Sequence, residues 1–234
     1  MTAQLRRAGL ALLLAAAAAC TRTGTAPPPA ASVRFAIAAD PQTLDPLFAH
    51  ADANSVEQQL ARLAFEPFID IDARGRPVPV LLARIPTVAN GDLSRDGRTI
   101  VYHLRPGVRW QDGFPVTAAD VLFTLRAIVD PRNPIRSREG YDRVARAERI
   151  DNTTVRVVLK AAWAPAVATL FSYGTAPQYV LPAHLLAKEP RLDRAAFGAA
   201  PVGDGPGQVS GGSVAGWSRS APASSRRLEI PSFS

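Results

Sequence analysis

Cysteine is all but absent from this 234-residue sequence, with Cys20 as the only one. A lone cysteine excludes an internal disulfide framework and any thiolate metal cluster within one chain. Histidine is scarce too, and His50, His103 and His184 stand far apart without metal-ligand spacing, so no metal site and no cofactor are expected. Lysine supplies only 2 of the 27 basic residues, an Arg bias that fits a GC-rich coding sequence better than a binding role. The formal charge is +7, but Arg6, Arg7, Arg219, Arg226 and Arg227 lie near the two ends. The body between them is an ordinary mixed surface, with no basic stripe interleaved with aromatics, and nucleic-acid binding is not expected. No G-x-x-x-x-G-K-[ST] and no G-x-S-x-G occurs, which removes ATP hydrolysis and a serine hydrolase from consideration. Long apolar runs are also missing. The longest, Ala8–Ala19, has twelve residues, too few for a bilayer core of about 30 Å.

What is present begins with an address. In "MTAQLRRAGLALLLAAAAAC" a charged segment at Arg6–Arg7 precedes the apolar run, which ends in small residues before Cys20. Residues 1–19 are therefore expected to be a signal peptide. The pattern resembles a bacterial lipoprotein signal with Cys20 as the lipid attachment point, although Ala17 stands where Leu is most common. Ordinary cleavage leaving a free thiol is the alternative, and "LRRAGL" carries a weak twin-Arg export pattern. Residues 20–32, rich in Pro, Ala and Thr, are expected to form a flexible linker from the anchor to a folded body working near a membrane.

The body is expected to span residues 33–207. Val33, Phe35 and Ile37 alternate as a half-buried strand ending at Asp40-Pro41. Val56, Leu60, Leu63 and Ala64 share helical spacing after an N-cap at Asn54 or Ser55, and Pro67 ends that helix. A short strand, a turn at Gly75 and a second apolar run follow. Asp96-Gly97 feeds a strand in which Ile100, Tyr102 and Leu104 share a face. Pro106-Gly107 turns the chain into a short return strand, Val108–Trp110, with Trp110 as a packing anchor. Thr117 caps a helix expected to bury Val121, Leu122, Leu125, Ile128 and Val129 and to stop before Pro131. Asp70 and Asp72 could be paired acid/base carboxylates or solvent-facing groups beside the Gly75 turn. "GDGPG" resembles a phosphate loop only superficially, because Pro206 removes a donor and no helix follows.

These residues together resemble the bacterial extracellular solute-binding proteins of family 5, which serve oligopeptide and dipeptide ABC importers. The similarity lies in Leu44, Asp45, Pro46 and Glu66, then Asp96, Gly97, Leu104, Arg105, Gly107, Val108, Trp110, Asp112, Gly113, Pro115, Thr117, Ala118, Asp120 and Val121. "IDNTTVRVVLK" looks like the family's next strand. "YVLPAHLL" looks like its P-x-H-L segment, where His184 is structural, and "APVGDGPG" looks like its N-P-V-G-T-G-P-[FY], with Asp204 for Thr and Gly207 for the aromatic. The resemblance implies an α/β, type II periplasmic-binding-protein-like fold: the first lobe plus its inserted subdomain (about residues 50–160), with the second lobe missing. It implies an exported protein of the periplasm or cell surface, not an enzyme, that captures a peptide ligand and passes it to ABC permease subunits. The membrane would be met through the lipid anchor. Phe65 and Glu66 would lie near the cleft edge and Tyr173 and Gly174 near its hinge side, each as a ligand contact or as packing, with a salt bridge as Glu66's alternative. Other readings are a receptor for a nickel chelate or oligosaccharide, a lipid-anchored interaction module, a non-functional remnant, and an exported hydrolase using Asp70 or Asp72.

The resemblance stops near Gly207. Residues 208–234 hold 8 Ser, against 5 in the preceding 207, and no strand or helix period survives. We expect a disordered tail read in a shifted frame, the alternatives being a native disordered tail and a wrongly placed gene end.

Overall fold

A computed structural model describes residues 41–49, 55–174 and 177–207, all within one compact unit. The expected signal, linker, first strand and tail, with Cys20 and His50, lie outside the described residues. The chain enters through a single 3-10 turn, Pro46–Phe48, capped by Asp45, whose Oδ1 accepts the Leu47 N–H at 2.9 Å. Helix α1, Val56–Ala64, starts where Ser55 Oγ accepts the Gln58 N–H at 3.2 Å and carries Glu57 in its first turn. It ends as Phe65 turns extended ahead of Pro67. The expected apolar stripe is covered only in part: Ala64 is buried as expected but Val56, Leu60 and Leu63 are half-buried, while Gln58 and Ala61 are covered. Ala61 and Ala64 join the hydrophobic core. Gln58 contributes there by donating from Nε2 to Pro177 O at 3.2 Å.

Strands β1, Ile69–Ile71, and β2, Pro77–Pro79, form an antiparallel hairpin around Gly75, which sits at φ +76°. Asp72 braces that turn. Its Oδ1 accepts the N–H groups of Arg74 and Arg76, both at 2.9 Å, and Oδ2 pairs with the Arg76 guanidinium at 2.8 Å. A second sheet has the order β3-β5-β4, with β3 at Thr99–His103, β4 at Val144–Arg149 and β5 at Thr154–Leu159, all antiparallel neighbours. Ile100 faces Val157 and Tyr102 faces Val155, so the apolar alternation of both strands points to the same core. Val108–Trp110 does return, but forward onto Phe114–Val116: Trp110 N–H donates to Phe114 O at 2.8 Å and Val116 N–H to Val108 O at 3.0 Å. The distant β5 takes the place beside β3 because it pairs along the whole strand, from Thr99↔Val158 to His103↔Thr154.

Helix α2, Ala118–Val129, begins where Asp120 Oδ2 accepts both the N–H of Thr117, at 2.7 Å, and its hydroxyl, at 3.0 Å. Val121, Leu125 and Ile128 are buried and Leu122 is half-buried. Val129 is 46% exposed, a departure from the expected face, because the last helical residue is turned about 100° from Ile128. Polar side chains pin α2 to the segment entering α4, Ala183–Leu186. Thr124 Oγ1 accepts the Leu181 N–H at 2.9 Å while donating to Asp120 O, and Asp120 Oδ1 accepts the Ala183 N–H at 2.8 Å. Between sheet and helices lies an aromatic core in which Phe68 meets Tyr102 and Phe171, with ring centroids 5.0 and 4.9 Å apart, and Tyr141 meets Phe171 edge-on. Trp110 is buried at 1% exposure, as a packing anchor should be. Phe171 has the left-handed φ of +54°, held by its N–H donating to Tyr141 Oη at 2.8 Å and its carbonyl accepting from Phe68 N–H at 2.6 Å.

Tyr141→Phe keeps the ring but strands the buried Phe171 N–H, so a loss of about 1–3 kcal/mol is expected in urea unfolding. Unchanged stability would show that the hydroxyl contributes nothing. Asp45 provides a second test. Burial pushes its carboxyl from the ordinary 3.8 up to about 7, against the lowering effect of the Leu47 N–H. A raised acid binds more protons folded than unfolded, so its contribution is present below pH 3.8 and is lost as pH rises to about 7. Asp45→Asn is expected to flatten that part of the stability–pH curve, and an unchanged slope would refute the assignment.

Candidate functional site

A helix leaves its last carbonyls without intrahelical partners. At the end of α1 a distant loop supplies them: Gly207 N–H donates to Leu63 O at 2.7 Å and Gly205 N–H to Ala64 O at 2.9 Å. The loop lies so close that side chains are excluded. A Cβ at Gly203 would run into Ala64 O, one at Gly205 would stand 2.8 Å from the Ala64 carbonyl carbon, and one at Gly207 would run into Leu63 O. Gln111 holds the loop from its other side. Its N–H donates to Gly203 O at 2.9 Å and its Oε1 accepts the Gly203 N–H at 3.0 Å. Its Nε2 donates to Gly205 O at 3.0 Å and Gly207 O at 2.7 Å. The loop amides at 203, 205 and 207 are thus consumed internally and are not available to a phosphate.

Three charged groups meet at this junction. Glu66 N–H donates to Asp204 Oδ1 at 3.0 Å, and Glu66 Oε2 accepts from Arg105 Nη2 at 2.9 Å. Burial raises the Glu66 carboxyl, and the charge and hydrogen bond of Arg105 pull it back. Asp204 is pushed up to about 7, chiefly by burial, with its Glu66 N–H bond opposing and the Glu66 charge adding to the rise. The residue keeps some solvent contact as a whole, but its Oδ2 is sealed and has no partner among the described residues.

The structure places the residues singled out in the sequence in two neighbouring groups. Phe65 is 1% exposed and packs against Tyr179 and Phe197, with centroids 6.0 and 6.3 Å away. Glu66 is in the ion pair with Arg105 and keeps 20% of its side chain exposed. Tyr173 and Gly174 follow α3, Ala166–Thr169, and are half-buried, with a Cβ at Gly174 standing 3.2 Å from Thr169 Cα. The Phe68–Phe171 backbone bond joins the two groups. The remaining acids and histidines are elsewhere. His103 Nε2 lies 3.0 Å from Asp92, which also takes the Arg84 guanidinium at 2.6 Å. His184 Nε2 lies 2.7 Å from Asp112, with its ring stacked on Phe114. No cluster of three or more His, Cys, Asp or Glu that could hold a metal ion exists among the described residues. Gln111 and the pairing of Asp204 with Glu66 escape sequence reasoning. The available signal was the alternation of glycines at 203, 205 and 207, which marks close backbone approach.

Residues 77–210 match the family model described as bacterial extracellular solute-binding proteins, family 5 Middle. Protein XP55 from Streptomyces lividans is 34% identical over 185 residues, covering 78% of this chain and 30% of that protein. The glutathione-binding protein GsiB from Escherichia coli is 32% identical over 180 residues, covering 76% of this chain and 31% of its own length. The solved structure of the oligopeptide-binding protein AppA from Bacillus subtilis in complex with a nonapeptide matches with a TM-score of 0.62. It shares 19% identity over 74% of this chain and 32% of its own, a likeness of fold. The fold is accordingly part of a type II periplasmic-binding-protein structure. The chain spans about a third of the length of the curated relatives it matches.

Gly203→Ala is expected to undock the loop and lower the urea midpoint well beyond Gly107→Ala, where φ is +80° but the space around the glycine is open and the backbone strain should cost about 1–2 kcal/mol. Gln111→Ala removes three side-chain hydrogen bonds and should cost about 2–4 kcal/mol. Equal, small losses in Gly203→Ala and Gly107→Ala would overturn the close-approach reading.

Proposed function

The chain belongs to the bacterial extracellular solute-binding proteins, family 5, and we propose from this that it forms part of an exported receptor that captures peptides for an ABC importer. The family match over residues 77–210 carries the reading. In it, residues 33–207 make up the first lobe with its inserted subdomain at about residues 50–160. Cys20 anchors the protein to a membrane by lipid, and ABC permease subunits receive the ligand. Similarity to proteins that bind a nonapeptide and glutathione supports a peptide-like ligand, since glutathione is itself a tripeptide. Capture would use main-chain hydrogen bonds, as when an extended strand is added to a sheet edge, with hydrated space for varied side chains.

Glu66 is the residue we assign to the ligand first. It combines a charge, partial exposure and a fixed position on the end of α1, with buried Phe65 as its support. Tyr173 and Gly174 form the second assigned edge. The chemistry is binding rather than turnover, and family membership supports a non-enzymatic role.

Calorimetric titration with defined peptides of three to nine residues, with glutathione and with nickel–histidine as comparators tests this. Peptides are expected to bind, and Glu66→Ala to weaken them about tenfold, the loss of one charge-assisted hydrogen bond. Binding of nickel–histidine alone, or of no peptide at all, would overturn the peptide reading. Unaltered peptide affinity in Glu66→Ala would remove Glu66 from the site.

A further inference from the structure

The carboxyl of Asp204 is held at only one end. Oδ1 takes the Glu66 N–H, while Oδ2 is enclosed without a hydrogen-bond donor among the described residues. Among the described residues, the charge of Arg105 offsets that of Asp204 only in part. Arg105 reaches toward the junction from just beyond β3, but its Nη2 is bonded to Glu66. Tyr179, buried against Phe65, keeps its proton because burial raises its phenol above the usual value, and the charges of Asp70 and Asp204 add to that while Arg62 opposes it. Gln111 faces the loop with an uncharged amide, fully used. The end of α1 adds partial negative charge through its carbonyls. An ionised Asp204 would therefore put a second, unpaired negative charge beside Glu66 in an enclosed space, which is far more costly than a neutral acid.

We propose that Asp204 is a proton-operated latch: the 203–207 loop stays docked on the end of α1 while the carboxyl carries a proton, and loosens when the proton leaves. Oδ2 is sealed, so a proton is the one ligand that can reach it without displacing the loop. The titration belongs near neutrality, where burial places this acid. The sign follows from that. Docking is strongest on the acid side, weakens as pH rises to about 7, and changes little beyond, because the group is then ionised in either state. The device depends on residues 63–66, 105, 111 and 203–207 alone and stands apart from the identity of the ligand.

Hydrogen exchange of the Gly205 and Gly207 amides in the full chain reads the latch directly, since these two N–H groups make the docking bonds. Protection factors corrected for intrinsic exchange should fall about tenfold between roughly pH 5.5 and pH 8, in excess of any change at mid-α2 amides. That reference separates the local event from the titration of Asp45, which acts on the whole fold. In Asp204→Asn the protection should not vary with pH. Invariant protection in the unaltered chain, or the same fall in Asp204→Asn, overturns the proposal. Should the variant not fold, carbon-13 titration of the Asp204 carboxyl in the unaltered chain decides. A midpoint above about 6 supports the latch, and one below about 5 overturns it.

Discussion

Two backbone hydrogen bonds, from Gly205 to Ala64 O and from Gly207 to Leu63 O, fix the arrangement on which the candidate site depends. They cap α1 with amides contributed from the far end of the described chain rather than from the residues next to the helix. Because amide meets carbonyl directly, α1 and the loop approach more closely than two side-chain-covered segments can. That closeness puts residue 204 against residue 66 and brings Gln111 within reach of three loop peptides at once. It also fixes the exit of α1, so that Phe65 and Phe68 enter the core on opposite sides of Glu66, one toward Tyr179 and the other toward Tyr102 and Phe171.

The same device recurs through the fold. Short strands and helices leave many backbone groups at their ends, and buried side chains close those gaps: Thr124 takes the Leu181 N–H, Asp120 the Ala183 N–H, Tyr141 the Phe171 N–H. Each link joins segments remote in sequence and satisfies a group that apolar contact would leave unpaired, so each specifies one arrangement more strongly than apolar contact alone does. The hydrophobic core supplies most of the stabilisation, while these polar links set which segments face which.

Much of the fold was legible because its signals are local. The alternation of Ile100, Tyr102 and Leu104, the turn at Gly75, the Thr117–Asp120 cap and the face of Val121, Leu125 and Ile128 each need only neighbouring residues, and each appears in the structure. The failures required knowledge of distant partners. Val108–Trp110 was read as a return strand, but the structure has there a single bridge, Arg109 to Pro115, because β5, about fifty residues away, takes the place beside β3. The covering of α1 was only partly legible, since Gln58 is buried through a hydrogen bond to Pro177 O, 119 residues away, which hydrophobic periodicity does not register. At the site, Glu66 was visible as a charge with two possible roles, and the ion pair with Arg105 bridges 39 residues. Asp204 was visible as a departure from the family's threonine, but its consequence depends on an enclosure created 138 residues upstream.

The electrostatics of the junction follow from a difference in burial between two acids that share one base. Glu66 retains solvent contact and takes the guanidinium of Arg105, and both favour its charged form against the cost of burial. Asp204 has one backbone donor and an enclosed second oxygen, beside a charge of its own sign. When two carboxyls compete in this way the proton goes to the more enclosed one, and the pair behaves as one acid and one anion rather than as two equivalent groups. A hydroxyl at 204 would leave the junction without this titration, whereas a carboxyl makes the docking of a glycine loop answer to pH. The fold itself is shared with receptors for chemically different solutes, so this property belongs to the side chain at position 204 and to the seal around it.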